Sequence, residues 1–154
     1  MKAVNDIMYM NDYFLPLMIN MPNNIFKEYI LKPEFLERLM ASYKNEIFDY
    51  GYPEEIIDKV FEAFGEIPDD EKLIKALVKI SPYYFCLGIE EAKEQDVYEG
   101  SIFEKIENNE KCMKILKEVM ENKEDIKYIV YRDQWVFNYI NEQLKYDVDF
   151  IKEL

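Results

Sequence analysis

Apolar residues recur along this chain in adjacent pairs, with two other residues between one pair and the next apolar position. Segments with this pattern begin at Phe35-Leu36, Ile56-Ile57, Leu73-Ile74, Cys112-Met113 and Trp135-Val136. Because an α-helix turns once in 3.6 residues, such pairs form one apolar stripe along one side of a helix. No comparable run alternates apolar and polar residues with the period of two that a half-buried strand needs. The sequence therefore predicts an all-α fold.

Prolines, glycines and capping residues predict where the helices begin and end. Four prolines fall where a first helical turn would begin, a position that needs no backbone N–H: Pro22, Pro33, Pro53 and Pro82. Ser81 and Asp69 are predicted N-caps. Glycines fall between segments, as helix-ending residues do: Gly51, Gly65 and Gly100. These signals predict a compact bundle or short solenoid of eight to ten short helices, in segments near 11–20, 22–31, 33–48, 53–64, 70–80, 82–95, 101–107, 110–121, 123–131, 133–145 and 147–153.

The apolar stripes also predict which residues form the core. We expect nine stripe positions to be buried: Ile57, Val60, Phe61, Leu73, Leu77, Leu116, Val119, Val136 and Ile140. A chain of 154 residues, 49% hydrophobic and 16% aromatic, has enough apolar side chains for such a core and is expected to form one domain over 1–154.

No stretch approaches the ~20 apolar residues of a membrane span, so no membrane partner is expected. The apolar N-terminal stretch is interrupted by Asp6 and Asp12 and lacks a small-residue cleavage site, which argues against a signal peptide. The two cysteines, Cys86 and Cys112, imply no disulfide framework, so a cytoplasmic location is expected.

The absence of certain residue types excludes several classes of enzyme. The chain has no histidine and no threonine, so Ser-His and Cys-His nucleophile pairs and histidine-based zinc or di-iron sites are excluded. Its four glycines are too far apart to form a phosphate-binding loop. We therefore expect a protein that is not an enzyme and that binds no cofactor and no metal.

Two sets of residues bear on the enzymatic alternative. The adjacent acids Glu90-Glu91 and Glu124-Asp125 point about 100° apart on a helix, so neither pair can converge on one atom. Cys86 lies among apolar neighbours and is expected to be a buried structural thiol. A carboxylate or metal enzyme built from distant residues stays open as a third hypothesis.

Arginine is nearly absent, with Arg38 and Arg132 against seventeen lysines. Arginine forks are preferred contacts to phosphates and bases, so direct binding of nucleic acid is not expected. An AT-rich genome would produce the same excess of lysine, so this composition has two explanations.

The strongest functional signal is a cluster of acids between Pro53 and Glu71. Eight carboxylates lie in these nineteen residues against one lysine, Lys59, which gives the segment a net charge of −7 out of the chain's −13. We call these carboxylates the acidic row: Glu54, Glu55, Asp58, Glu62, Glu66, Asp69, Asp70 and Glu71. In a helix over 53–64, the first four lie opposite the apolar stripe. The pattern predicts a line of negative charge on a solvent-facing surface.

The acidic row has two interpretations. The first is a docking surface for a basic protein, to which Tyr50 and Tyr52 would contribute, since tyrosine is enriched at interfaces. The second is an ordinary solvated helix face, in which the acids near helix starts are there because they favour a helix N-terminus.

Two segments, from Asp69 to Asp96 and from Gln134 to the C-terminus, resemble units of a bacterial helical-hairpin repeat family. The resemblance implies stacked helical hairpins and no particular activity. In its small size, acidic balance and lack of catalytic residues, the chain is also similar to phage anti-defence and toxin-immunity proteins. That similarity implies a non-enzymatic inhibitor.

The resulting functional hypothesis is a nucleic-acid mimic that binds a basic partner, such as a defence nuclease or a toxin. DNA carries one negative charge per ~1.7 Å of axis, so a fixed row of carboxylates can compete for the same lysines and arginines. The alternative is a structural or adaptor module that binds through an apolar or aromatic surface, with the charge serving solubility. The sequence leaves the partner's identity and the oligomeric state open.

Overall fold

The structure is a computed structural model that describes residues 11–45, 52–130 and 134–154, with side chains described over 16–43, 55–130 and 135–154. Within these ranges the fold is all-α, as predicted, and contains no β-strand. Twelve α-helices are present in the described ranges: α1 Asn11–Asn20, α2 Asn23–Tyr29, α3 Pro33–Asn45, α4 Tyr52–Phe64, α5 Glu71–Ile80, α6 Pro82–Phe85, α7 Leu87–Glu94, α8 Ile102–Glu107, α9 Glu110–Val119, α10 Lys123–Val130, α11 Glu142–Lys145 and α12 Val148–Glu153. A 3-10 helix, Gln134–Tyr139, lies between α10 and α11.

The predicted number of eight to ten helices is wrong, since the described ranges contain twelve α-helices, and two of the eleven predicted segments are each divided. The segment 82–95 breaks at Cys86, whose backbone angles (φ −130°, ψ −95°) lie outside the helical region. The segment 133–145 becomes the 3-10 helix followed by α11. Here Asn141 starts the new helix, since its side chain accepts a hydrogen bond from the Gln143 N–H at 2.9 Å.

Gly88, two residues after the first break, allows α7 to pack closely on its neighbours. A Cβ at this position would lie 2.5 Å from Cε1 of Phe103 and 2.9 Å from the Tyr83 carbonyl oxygen. Any larger residue would overlap these atoms, so the close approach of α6, α7 and α8 requires glycine.

The chain divides into two compact units, Met1–Ala76 and Leu77–Leu154, and the division falls within α5. In the N-terminal unit, α1 packs against α3 and α4, and α2 packs against α4. In the C-terminal unit, α6, α7 and α8 pack against one another, α9 against α8, α10 against the 3-10 helix, and α11 against α12. The single domain predicted for 1–154 stays a prediction.

Each unit buries its own apolar side chains. In the N-terminal unit, Phe26, Phe35 and Tyr43 are among the largest fully buried residues. In the C-terminal unit, a cluster of three buried residues is surrounded by partly buried Val130, Phe137 and Leu144; the three are Ile126, Ile140 and Phe150. Cys86 is buried, as predicted, and so is Cys112, and burial raises the pKa of both thiols to about 12. Among the described residues, no helix is long and apolar enough to cross a membrane.

Seven of the nine residues predicted to form the core are buried. The prediction is wrong for Phe61 and Leu116, which are half-buried. Phe61 lies at the edge of the buried side of α4, and Leu116 lines an open cleft beside α9.

Leu77→Ala tests the apolar stripe of α5. Leu77 is fully buried, so truncation removes apolar contacts and leaves a cavity. We expect the free energy of unfolding to fall by about 2–5 kcal/mol, measured by urea denaturation. The control is Lys72→Ala, an exposed position on the same helix, where a change within about 0.5 kcal/mol is expected. A loss below about 1 kcal/mol for Leu77→Ala would contradict the assignment of this residue to the core.

Candidate functional site

The acidic row extends over α4, the loop 65–70 and the start of α5, all within the N-terminal unit. Six of its side chains are exposed: Glu55, Asp58, Glu62, Glu66, Asp69 and Glu71. Tyr50 lies outside the described residues. Tyr52 and Glu54 lie at the start of α4, and their side chains are outside the described part of the chain. Six of the ten predicted site residues are therefore exposed within one segment of the chain, residues 55–71.

The end of α4 fixes how the row continues beyond the helix. Gly65 has a positive φ of 76°, and its N–H donates to the Phe61 carbonyl at 2.8 Å. This left-handed conformation ends the helix at little steric cost because the residue is glycine. Two residues later Ile67 is buried and attaches the loop to the core. Glu66, between these two fixed points, is held at the surface.

Lys59, the one lysine of the acidic segment, is buried, with 7% of its surface exposed. Its Nζ donates a hydrogen bond to Oδ1 of Asn23 at 2.9 Å and lies 5.7 Å from the ring centre of Phe26. Nδ2 of the same Asn23 donates to Oε1 of Glu62 at 3.5 Å. One residue at the start of α2 therefore contacts two charged residues of α4. The one lysine of the segment is therefore buried, and Asn23 links its ammonium to Glu62 at the edge of the acidic row.

The rotation of α4 about its axis explains one error of the sequence prediction. At about 100° per residue, Lys59 and Phe61 lie at opposite edges of the apolar stripe. Polarity alone predicts that Phe61 is buried and Lys59 exposed, whereas the structure buries Lys59 and leaves Phe61 half-exposed. The missing information was Asn23, a hydrogen-bond acceptor 36 residues away in the sequence.

Net charge is concentrated in the acidic segment and nowhere else in its unit. Residues 1–76 contain fifteen acidic and eight basic side chains, and residues 53–71 account for eight and one of these. The remaining seven acids are balanced by seven bases. In 77–154, seventeen acids and eleven bases are spread along the chain. The negative potential of the N-terminal unit therefore originates in the acidic row.

Positively charged groups border the row at its C-terminal end. Lys27 places its Nζ 5.6 Å from the ring centre of Phe64, the last residue of α4. Lys72, which is exposed, follows Glu71 on α5. The three exposed carboxylates of α4 are thus the part of the row best suited to a test of charge: Glu55, Asp58 and Glu62.

Asp70 differs from the other acids because it caps α5. Its Oδ1 accepts a hydrogen bond from the Leu73 N–H at 2.9 Å, and its own N–H donates to the Pro68 carbonyl at 2.9 Å. The prediction that Asp69 is the N-cap is therefore wrong by one residue, because the turn at Pro68 keeps Asp70 outside the helix. Ser81 does occupy the N-cap position of α6, but its side chain makes no capping hydrogen bond.

The adjacent carboxylates Glu90 and Glu91 are each held by a different tyrosine. The Tyr139 hydroxyl donates to Oε2 of Glu90 at 2.7 Å, and the Tyr83 hydroxyl donates to Oε2 of Glu91 at 2.6 Å. Burial and the hydrogen bond to Glu90 raise the pKa of Tyr139 well above its ordinary value. In this arrangement the two carboxylates point to different partners, as expected for neighbours on a helix.

The second acidic pair, Glu124-Asp125, also has separate partners. Asp125 is buried and lies 3.0 Å from Nζ of Lys79. Glu124 is exposed and lies 3.4 Å from Nζ of Lys127, three residues along the same helix. Each carboxylate therefore contacts its own lysine.

Several of the tyrosines belong to an aromatic cluster formed by α6, α8 and the 3-10 helix. Tyr84 is buried and stacks on Phe103, with 5.3 Å between ring centres. Trp135 makes edge contacts with Tyr83 at 6.4 Å and Tyr139 at 5.8 Å. All but Tyr84 are half-buried, which is the usual state of an aromatic side chain that has one polar end or lies at the edge of a core.

The described residues contain no group of three or more cysteine, aspartate or glutamate side chains placed to hold a metal ion. Comparisons of the chain with protein-family models, with curated proteins and with solved structures found no match. The resemblances to a helical-hairpin repeat family and to anti-defence proteins therefore stay predictions. The geometry offers an exposed negative surface on one unit, in which Asp70 caps α5 and Glu62 accepts a hydrogen bond from Asn23.

Replacing Asp70 separates its capping role from its charge. Asp70→Ala removes the acceptor of the Leu73 N–H, so we expect a loss of about 1 kcal/mol in the free energy of unfolding. Asp70→Asn keeps a good capping oxygen while removing the charge, and it should cost only a few tenths of a kcal/mol. Both are measured by urea denaturation, with Glu66→Ala as an exposed control. Equal losses for Ala and Asn would contradict the capping role.

Proposed function

We propose that this protein is a non-enzymatic inhibitor whose acidic row occupies the basic, nucleic-acid-binding surface of a partner such as a defence nuclease or a toxin. The observation that carries the proposal is the exposure of six carboxylates along one stretch of α4, its following loop and the start of α5. The proposal places the protein in the cytoplasm, where nucleic-acid-handling partners work. Direct contact with nucleic acid is not part of it, because the same carboxylates repel phosphate.

The spacing of the carboxylates on α4 suits competition with a nucleic acid. At 1.5 Å per residue, Asp58 and Glu62 are about 6 Å apart along the helix axis, and Glu55 and Asp58 about 4.5 Å. One DNA strand carries a charge about every 3.4 Å. A protein groove that accepts phosphates with several lysines or arginines therefore meets negative charge at a similar spacing along α4.

The strength of single contacts sets what such a surface can achieve. An exposed ion pair contributes about 0.2–1 kcal/mol, so six carboxylates alone give a weak and salt-sensitive complex. Charge does accelerate association, because complementary potentials steer the encounter. Tight binding requires buried aromatic or arginine anchors as well. We assign that contribution to Tyr50 and Tyr52, next to the row in the sequence.

The proposal predicts that the exposed acids of α4 are needed for binding and dispensable for folding. The test variant combines Glu55→Gln, Asp58→Asn and Glu62→Gln. A matched control removes three exposed acids of the C-terminal unit, with Glu94→Gln, Glu99→Gln and Glu118→Gln. Both variants change the net charge equally, so any difference between them is due to where the removed charges lie on the protein. We expect the melting temperature of the test variant to be unchanged or slightly raised, since the exposed acids repel one another.

The binding measurement uses the full chain immobilised and a lysate passed over it at about 50 mM and 200 mM salt, with captured proteins identified by mass spectrometry. The proposal expects a nucleic-acid-handling protein that the wild type and the control capture at low salt and the test variant does not. A DNA duplex should compete for the same captured protein. Equal capture by the test variant, with the same salt dependence as the wild type, would remove the acidic row from the function.

A second candidate function is an adaptor module that binds through an apolar surface. Four large apolar side chains in the last nine residues are exposed, with Tyr146 at 74%, Val148 at 62%, Ile151 at 40% and Leu154 at 44%. On α12, Phe150 is buried, whereas Val148 and Ile151 are exposed. This short helix therefore has apolar residues on its buried side and on its exposed side. Clusters of exposed apolar residues of this kind commonly mark interaction sites.

The adaptor function predicts binding that tolerates salt. The variant Val148→Ser with Ile151→Ser should lose partners captured at about 500 mM salt, where ionic contacts are largely screened. The control is Leu31→Ser with Val97→Ser, which removes two exposed apolar residues elsewhere in the chain. Retention of every salt-resistant partner by the α12 variant would exclude this surface and leave the acidic row as the candidate.

A further inference from the structure

A cleft of about 370 Å³ opens beside α9 within the C-terminal unit. Met113, Leu116 and Met120 provide apolar side chains along one wall. Cys86 also lines it, and because burial raises the pKa of this thiol to about 12, the group is neutral at physiological pH. The volume falls at the lower end of the roughly 300–1,000 Å³ that small-molecule sites occupy.

Backbone contacts hold the two sides of the cleft together. The Asn141 N–H donates to the Met120 carbonyl at 3.2 Å, which ties the N-cap residue of α11 to the C-terminal end of α9. Tyr139, from the 3-10 helix, lines the opposite side, and its hydroxyl is held by Glu90 at 2.7 Å. The cleft is therefore formed by fixed elements of one unit.

Two opposite charges lie at the rim of this apolar cleft. Lys117 and Glu121 both line it, and both side chains are exposed. They are four residues apart in the sequence: Lys117 is in the last turn of α9, and Glu121 lies in the turn after it, where its N–H donates to the Glu118 carbonyl at 3.2 Å. Within the described ranges, neither side chain makes an ion pair or hydrogen bond. A cation and an anion next to one apolar wall form a complementary pair for a ligand that carries both charges.

We propose that this cleft binds a free apolar α-amino acid. The side chain of the ligand would pack against Met113, Leu116 and Met120, its carboxylate would contact Nζ of Lys117, and its ammonium would contact the carboxylate of Glu121. A ligand with a single charge matches the rim less well, because it is attracted by one of these residues and repelled by the other. The site is independent of the acidic row, which belongs to the other unit.

The size of the cleft supports a ligand with a large side chain. The cleft, with a volume of about 370 Å³, opens to solvent, so water covers its apolar wall when no ligand is bound. An aromatic or long aliphatic side chain displaces most of that water from apolar surface, which is the favourable part of binding. A polar amino acid of small volume would leave the wall in contact with water, so serine is a suitable negative control.

The test is calorimetric titration of the full chain with L-phenylalanine. The proposal expects saturable binding, no binding of L-serine, and weaker binding, by up to about fivefold, of 3-phenylpropanoate and 2-phenylethylamine, each of which lacks one charge. Lys117→Met should weaken the binding of L-phenylalanine about fivefold without weakening the binding of 2-phenylethylamine. Glu121→Gln should weaken the binding of L-phenylalanine by the same factor without weakening the binding of 3-phenylpropanoate. The matched controls on the same part of the chain are Lys114→Met and Glu118→Gln, exposed residues outside the cleft, which should leave binding unchanged.

Both substituted residues are exposed, so unchanged melting temperatures are expected and loss of fold would not explain a loss of binding. Amide chemical shifts should change at Met113, Leu116 and Met120 on titration. The absence of saturable binding of L-phenylalanine up to about 10 mM, ten times the millimolar dissociation constant expected of so small a ligand, would overturn the proposal. Equal effects of the rim variants and their controls would overturn the assigned contacts.

Discussion

The hydrogen bond between the buried ammonium of Lys59 and Oδ1 of Asn23 determines what the N-terminal unit presents to solvent. A buried charge without a partner is strongly unfavourable, whereas a hydrogen bond that involves a charged group contributes about 1.5–3 kcal/mol. This contact therefore ties α4 to the start of α2 and adds to the apolar burial that sets the rotation of α4 about its own axis. The apolar stripe then faces the core, with Ile56, Ile57 and Val60 fully buried. The acids of α4 are left on the outer side, and the one lysine among them is not at the surface to offset their charge.

The existence of the helices could be predicted from the sequence because each one buries a stripe, and a stripe leaves its period in the sequence. Breaks inside an apolar run could not be predicted in the same way. The chain leaves the helical conformation at Cys86 although its neighbours are apolar, and two residues later α6, α7 and α8 approach one another closely at Gly88. That approach depends on Phe103, fifteen residues later, and no local pattern reports it. The restart at Asn141 did leave a local sign, a capping residue inside a predicted helix.

Prediction of the candidate site was limited in a similar way. Exposure of Glu55, Asp58 and Glu62 followed from their position opposite the stripe, because charge and helical period agree there. The capping role of Asp70 could not be predicted from the sequence, because the turn at Pro68 moves the start of the helix by one residue. The rim of the cleft beside α9 was not found at all from the sequence. In the sequence, Lys117 and Glu121 look like any pair of solvated charges four residues apart. Only the structure shows that they lie beside a cleft that Tyr139 also lines.

The balance of energies on α4 explains how a dense row of like charges can persist at a surface. Two unit charges about 6 Å apart in water repel by about 0.7 kcal/mol, and physiological salt, with a Debye length of about 8 Å, reduces this further. Burying one isoleucine or valine side chain contributes about 1.5–3 kcal/mol. Three such residues on the inner side of α4 therefore outweigh the repulsion between the three exposed carboxylates on its outer side. Because the buried residues dominate this balance, the charge of the outer side can change with little effect on the fold as long as residue 62 keeps an acceptor for Asn23, and it can serve recognition without being required for stability.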